Sequence, residues 1–197
     1  MRRPRLTRLQ VRRVVGDERG YSLVEVLTVL VIMGIVMGGL TTLFVQGSNA
    51  ELDMNRRFQA QLTARLALDK LRREVHCASV ATPTGSASSV TITLPSYCKT
   101  GSGSITWCTR SSGTSTYALY RIVGSSCTGG VKWADFLVAS PTAPTCSGAL
   151  CIFNYTAQTA SSLAKLHVEL PINVKPSRTV DTYDLADDLV LRNSTRS

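Results

Sequence analysis

The sequence predicts an α+β fold in which one long N-terminal helix is followed by an antiparallel β-sheet. An apolar segment beginning at residue 21 runs into a proline-free stretch rich in helix-forming residues, which ends near residue 80. After Pro83 the composition changes to Ser, Thr and Gly, with short runs in which apolar and polar residues alternate. We therefore expect the second half of the helix to pack on the sheet.

Residues 1–20 are strongly basic, with seven arginines against two acidic residues, Asp17 and Glu18. The formal net charge of the whole chain is +9, so this short segment carries a large part of it. A strongly basic protein can bind nucleic acid or an anionic membrane surface. Arginines placed just before an apolar segment instead indicate a leader that stays in the cytoplasm.

Residues 21–45 are apolar almost without a break, and Glu25 is their only carboxylate. As a helix rising about 1.5 Å per residue they would be roughly 37 Å long, which is enough to cross a hydrocarbon core of about 30 Å. In residues 46–60, which follow this segment, the only basic residues are Arg56 and Arg57. The charge asymmetry predicts a single-pass protein of the cytoplasmic (inner) membrane, with its N-terminus inside and its head exported.

Two simpler interpretations compete with a functional membrane helix. A secretory signal peptide has an apolar core of about 7 to 15 residues, which is shorter than this one, although a weak signal-peptidase site follows near Ala50. A plain signal anchor explains the length and the charge asymmetry equally well. It does not explain Glu25, because a carboxylate in an apolar span costs about 2 to 3 kcal/mol near the centre and less toward the end, and it calls for a partner.

The segment from Arg19 to Leu27 reads RGYSLVEVL and resembles the class III signal of type IV prepilins and pseudopilins. The resemblance covers residues 19 to 45 and implies a pilin fold. It also implies cleavage between Gly20 and Tyr21 by a prepilin peptidase, N-methylation of Tyr21, and docking of a neighbouring subunit through Glu25. Tyr21 stands where phenylalanine is commoner in that family, which leaves an aromatic residue in place. The implied partners are other pilins or pseudopilins in a filament and an inner-membrane assembly platform.

Gly34 and Gly38 have the small-xxx-small spacing that lets membrane helices approach closely. This spacing predicts helix packing, and ordinary tolerance of glycine in membrane helices is the alternative. The span lacks the helix-breaking proline that many pilins carry here.

Residues 46–80 are predicted to extend the helix as an amphipathic segment. Two apolar sets lie on different faces: Phe58, Leu62 and Leu66 on one, and Ala64, Leu68, Leu71 and Val75 on the other. Two buried faces would fit a helix that packs on its own head and on neighbouring subunits, and the alternative is a helix largely embedded in its own domain. Arginines in this segment alternate with acidic residues and lack interleaved aromatic side chains, which argues against nucleic-acid binding.

Residues 81–197 are predicted to form the β-rich exported head. Seven runs have strand patterns: residues 90–94, 104–107, 117–123, 131–138, 150–155, 163–170 and 183–191. Residues 66–78 and 190–193 are similar to minor pseudopilin J of type II secretion and to related minor pilins.

Six cysteines lie beyond the apolar segment, and an even number in an exported domain predicts disulfides. Several pairings are open, and our hypothesis joins Cys98 to Cys108, Cys146 to Cys151, and Cys77 to Cys127. The first two pairs would close short loops, and the third would tie the end of the helix to the sheet. There is no CxxC pair, and His76 and His167 are far apart in sequence, so no metal site is predicted.

No nucleophile with a base, carboxylate pair or phosphate-binding loop is recognisable, so we predict neither an enzyme nor a cofactor. Four acidic residues near the C-terminus could suggest calcium, but an EF-hand pattern is absent and a solvated acidic loop is expected; they are Asp181, Asp184, Asp187 and Asp188. Two functional classes remain: a minor pilin or pseudopilin in a filament, and a single-pass signal-anchored extracytoplasmic binding domain. Glu25 and the Gly20-Tyr21 junction favour the first.

Overall fold

A computed structural model describes residues 20–194 of the chain. The predicted basic leader, apart from Gly20, lies outside the described residues. The chain divides into two compact units between Asn49 and Ala50. Each unit is described by itself below.

Helix α1 extends from Leu23 to Cys77 without interruption. This confirms the prediction of one long helix, and the helix ends at Cys77 where the predicted extension ran to residue 80. Up to Asn49 every side chain of the helix is exposed. One helix of the described residues, α1, is long and apolar enough to cross a membrane.

From Ala50 onward, α1 buries one face against the sheet. The buried residues of this face are Ala60, Ala64, Ala67, Leu68, Leu71, Glu74 and Val75. Three of these residues are alanines, and the larger apolar side chains among them are Leu68, Leu71 and Val75. The other predicted apolar set is open to solvent: Phe58 is 60%, Leu62 40% and Leu66 54% exposed. This part of the helix, from Ala50 onward, is therefore covered by the head on one face rather than embedded in it.

The head contains eleven strands in the described residues. They are β1 (Val80–Thr82), β2 (Gly85–Ala87), β3 (Ser89–Leu94), β4 (Gly103–Gly113), β5 (Thr116–Val123), β6 (Val131–Leu137), β7 (Thr145–Cys146), β8 (Ala149–Leu150), β9 (Phe153–Thr156), β10 (Lys165–Ile172) and β11 (Tyr183–Val190). A short 3-10 helix, Thr179–Asp181, precedes β11.

Nine of these strands form one antiparallel sheet in the order β1-β3-β4-β5-β6-β10-β9-β2, with β11 paired to β10. Strands β7 and β8 form a separate hairpin. The architecture is α+β, as predicted, with a long helix followed by an antiparallel sheet. Each of the seven predicted strands overlaps an observed one. The very short β1, β2 and β7 were not predicted, because two or three residues give too little alternation to recognise.

The core lies between the buried face of α1 and the sheet. Its largest fully buried side chains include Trp107 on β4, Phe153 on β9 and Leu71 on α1. Trp107 also packs against Trp133, with ring centroids 5.9 Å apart. This is an aromatic pair of the kind that contributes about 0.5 to 1.5 kcal/mol beyond its buried area.

All six cysteines are paired, which confirms the predicted use of disulfides. The bond between Cys146 and Cys151 is confirmed, but the predicted pairs Cys98–Cys108 and Cys77–Cys127 are wrong. The structure joins Cys77 to Cys98 and Cys108 to Cys127, with Cα atoms 6.1 Å apart in both pairs.

The register of β3 and β4 explains this correction. Ser89, at the start of β3, pairs with Cys108 on β4. Cys98 follows the other end of β3, so the length of a strand separates it from Cys108. Cys98 instead reaches the end of α1, where Cys77 lies.

Candidate processing and assembly site

The predicted cleavage junction lies just before α1. Gly20 and Tyr21 are outside the helix, which begins at Leu23, and both are exposed, Tyr21 at 80%. The backbone of this junction is therefore not held by helical hydrogen bonds. Gly20 and Tyr21 therefore form an exposed, non-helical segment at the start of the described residues.

Glu25 lies in the first turn of α1. A carboxylate is favourable there, because unsatisfied N–H groups give the helix N-terminus a partial positive charge. Tyr21 and Glu25 line the same surface groove, together with Val26, Val29 and Leu30. Residues 20–49 contain no Lys, Arg or His. Among residues 20–49, a positive charge for Glu25 would have to come from a new amine created at Tyr21.

Beyond Glu25, threonine side chains of the helix are hydrogen-bonded within the helix itself, as a lipid environment requires. The hydroxyls of Thr28, Thr41 and Thr42 donate hydrogen bonds of 2.7 to 2.9 Å to backbone carbonyls of the preceding turn. Satisfying polar groups internally matters in lipid, where no water can replace them. Gly34 and Gly38 have open space where a Cβ would lie, so another helix can approach this side.

Residues 16–41 match the family model of the prokaryotic N-terminal methylation motif. This match supports a type IV pilin-like class. It includes Gly20, Tyr21, Glu25, Gly34 and Gly38, and it supports a membrane-anchored, pilin-type subunit that a prepilin peptidase processes. Proteins with this motif are structural rather than enzymatic. The chain has no match among curated proteins or among solved structures.

Three of the four acidic residues near the C-terminus pair with different basic residues and do not form one cluster. Asp181 accepts a hydrogen bond from Arg57 and Asp187 accepts one from Arg72, at 2.8 and 2.6 Å. Asp188 contacts Lys165 and His167 on β10. Among residues 20–194, no group of three His, Cys, Asp or Glu side chains is arranged to hold a metal ion.

Three ion pairs join α1 to the C-terminal part of the head, and we call them the ion-pair ladder: Asp53–Lys175, Arg57–Asp181 and Arg72–Asp187. Hydrogen bonding from Lys175 holds the pKa of Asp53 below its ordinary value. Arg57 does the same for the pKa of Asp181. Both carboxylates are therefore charged at neutral pH, and they hold residues 175–181 against the helix.

Glu74, His76 and Cys77 are close in sequence but have separate partners. Glu74 is fully buried and accepts hydrogen bonds from the head, His76 contacts the carbonyl oxygen of Val190, and Cys77 forms its disulfide. The sequence interpretation missed the buried role of Glu74, although the signal was present: it lies three residues after Leu71, on the buried face.

Proposed function

We propose that this protein is a structural subunit of a type IV pilus-like or type II secretion filament. A prepilin peptidase cleaves between Gly20 and Tyr21 and the new amine of Tyr21 is methylated. The apolar part of α1 anchors the subunit in the inner membrane and then builds it into the filament, through an inner-membrane assembly platform. The match of residues 16–41 to the N-terminal methylation motif is the observation that carries this proposal.

Charge compensation supports the role given to Glu25. Cleavage creates an amine with an ordinary pKa of about 8, which is cationic at neutral pH. Residues 20–49 offer Glu25 no other cation. An unpaired carboxylate in an apolar helix is costly, so pairing with the amine of a neighbouring subunit favours one docking register over others.

Among filament subunits, a minor pilin or pseudopilin agrees best with the sequence of this chain. Residues 66–78 and 190–193 are similar to minor pseudopilin J and related minor pilins, as the sequence indicates. In the structure these two segments lie together: His76 contacts Val190, and Asn193 donates a 2.9 Å hydrogen bond to the carbonyl oxygen of Cys77. A minor pilin or pseudopilin is therefore the specific form of the proposal.

The deciding experiment is intact mass and N-terminal analysis of the membrane-extracted protein, expressed with and without a prepilin peptidase. We expect a mature chain that begins at Tyr21 with a methylated amine, only when the peptidase is present. An intact leader under both conditions would mean a signal-anchored binding domain. Cleavage near Ala50 would mean a secreted protein.

A further inference from the structure

Strand β6 contains an irregularity that places an aromatic ring beside α1. Leu137 pairs with Tyr117 and Ala134 pairs with Leu119, so β6 has one extra residue between these pairs. Phe136 lies in this bulge with a φ of 60°. Bulky residues rarely adopt this region, at a cost of about 1 to 3 kcal/mol, and bulges commonly redirect a side chain.

The ring of Phe136 lines a groove between α1 and β6 with a volume of about 350 Å³. The helix contributes Asn55, Gln59 and Thr63, and the strand contributes Lys132, Asp135 and Phe136. This volume is at the lower end of the range for small-molecule sites, about 300 to 1,000 Å³. The groove is therefore large enough to hold a small molecule.

Polar residues line this groove together with Phe136. Asp135 accepts hydrogen bonds from Lys132, at 2.6 Å, and from Ser112, at 3.1 Å, so its carboxylate is fixed in position. Burial opposes its charge, but the hydrogen bond from Lys132 and other bonds keep the pKa of Asp135 below its ordinary value. The amides of Asn55 and Gln59 each supply donors and an acceptor.

We propose that this groove binds a saccharide of one or two rings. A sugar ring has a C–H face that can lie against an aromatic side chain, and its hydroxyls both donate and accept hydrogen bonds. Phe136 provides the aromatic surface, the amides provide both kinds of hydrogen-bonding group, and Asp135 provides a charged acceptor, which forms the stronger hydrogen bonds. The proposal is independent of the filament role and requires only that the head is exported.

At the bulge, the main chain of β6 is not free for strand addition by a peptide. Strand β6 lies between β5 and β10 in the sheet. At the bulge, the carbonyl oxygen of Phe136 accepts a 2.8 Å hydrogen bond from the amide of Asn173, and the amide of Val138 donates to Pro171. The main chain at Phe136 and Val138 is thus occupied, and recognition at this point falls to side chains.

The test is saturation-transfer NMR on the full chain in a detergent without a sugar headgroup, because maltoside or glucoside detergents would compete for the groove. The probes are lactose, cellobiose and di-N-acetylchitobiose. We expect at least one to bind with a Kd of about 1 mM or tighter, as suits a small polar ligand. No binding by any of the three at about 10 mM would overturn the proposal.

Phe136→Gly removes the ring and leaves a residue that adopts a φ of 60° without strain. We expect it to keep the thermal unfolding midpoint and to weaken saccharide binding at least about tenfold. Gln59→Ala, on a helix surface that tolerates alanine, should also weaken binding and serves if the first variant folds poorly. Phe58→Ala, exposed on the same helix but outside the groove, is the matched control and should bind as wild type. Unchanged binding in Phe136→Gly and Gln59→Ala would refute the site.

Discussion

The indole Nε1 of Trp107 donates a 2.8 Å hydrogen bond to Oε2 of Glu74, whose side chain has no exposure to solvent. The other carboxylate oxygen receives a 2.8 Å hydrogen bond from Nε of Arg121 and lies 3.2 Å from Nζ of Lys70. A buried charge is tolerated only when it is paired and hydrogen-bonded. Glu74 therefore links α1 to β4 and β5 at the centre of the head.

Replacing Glu74 with alanine should destabilise the head strongly. The substitution leaves the Trp107 N–H and the Arg121 guanidinium without their acceptor, and breaking a buried ion pair in this way costs about 3 to 5 kcal/mol. Urea unfolding of the full chain in detergent, followed by tryptophan fluorescence, measures the loss. Glu51→Ala, an exposed glutamate of the same helix, should change the free energy of unfolding little. A loss below about 1 kcal/mol for Glu74→Ala would contradict this role.

The ion-pair ladder should weaken in acid. The pKa values of Asp53 and Asp181 are lower in the folded head than their ordinary 3.8, because of hydrogen bonds from Lys175 and Arg57. Stabilisation from a lowered carboxyl pKa is fully present above the unfolded value and is lost as the pH falls through the folded value. Stability should thus be maintained above about pH 4 and fall below it.

Hydrogen exchange of residues 173–182 reports this change locally. In Asp181→Asn the exchange should already be fast at neutral pH, and high salt should have a similar but smaller effect on wild type. Asp184→Asn is the control, since Asp184 is an exposed acid on the adjoining strand outside the ladder. Equal protection in Asp181→Asn and wild type would show that the ladder does not hold this segment.

Peptide mapping without reduction should recover the three pairs of the structure: Cys77–Cys98, Cys108–Cys127 and Cys146–Cys151. The chain-entropy argument makes the stabilisation grow with the number of residues in the loop. Separations of 21 and 19 residues predict about 3 kcal/mol each, and a separation of 5 predicts about 2. Removing both Cys77 and Cys98 should therefore lower the unfolding free energy more than removing Cys146 and Cys151. A peptide joining Cys98 to Cys108 would contradict the structure.

The helix and most strands were predictable because their signals are local. An unbroken helix needs only the absence of proline and a run of good helix formers, and strands such as β3 and β5 show the alternation of a half-buried sheet. The N-terminal motif is equally local, since Gly20, Tyr21 and Glu25 lie within six residues. Both the fold class and the candidate processing site could therefore be derived from short segments.

The disulfides and the buried charges depend on the tertiary structure. The partner of Cys77 depends on which loop the sheet brings to the end of α1, and spacing along the chain does not determine this. The spacing from Leu71 places Glu74 on the buried face of α1, but only the positions of Trp107 and Arg121 explain how its buried charge is paired. The bulge at Phe136 similarly depends on pairing with strands on both sides of β6.

Glu25→Leu tests the proposed docking role most directly. The substitution makes the apolar helix more hydrophobic, so membrane insertion and cleavage should be unchanged. Incorporation into filaments should fall at least about tenfold, because the Tyr21 amine of a neighbour loses its counter-charge, a loss of more than about 1.4 kcal/mol. Shearing filaments from the cell surface, followed by quantitative mass spectrometry, gives the incorporated fraction, with mature Tyr21 termini counted in the same sample.

Leu27→Glu in the Glu25→Leu background adds a carboxylate two residues away, on a different side of the helix, and should not restore incorporation. Equal incorporation of Glu25→Leu and wild type would mean that the carboxylate is not what selects the docked position, and the packing of Gly34 and Gly38 would then have to supply that selection.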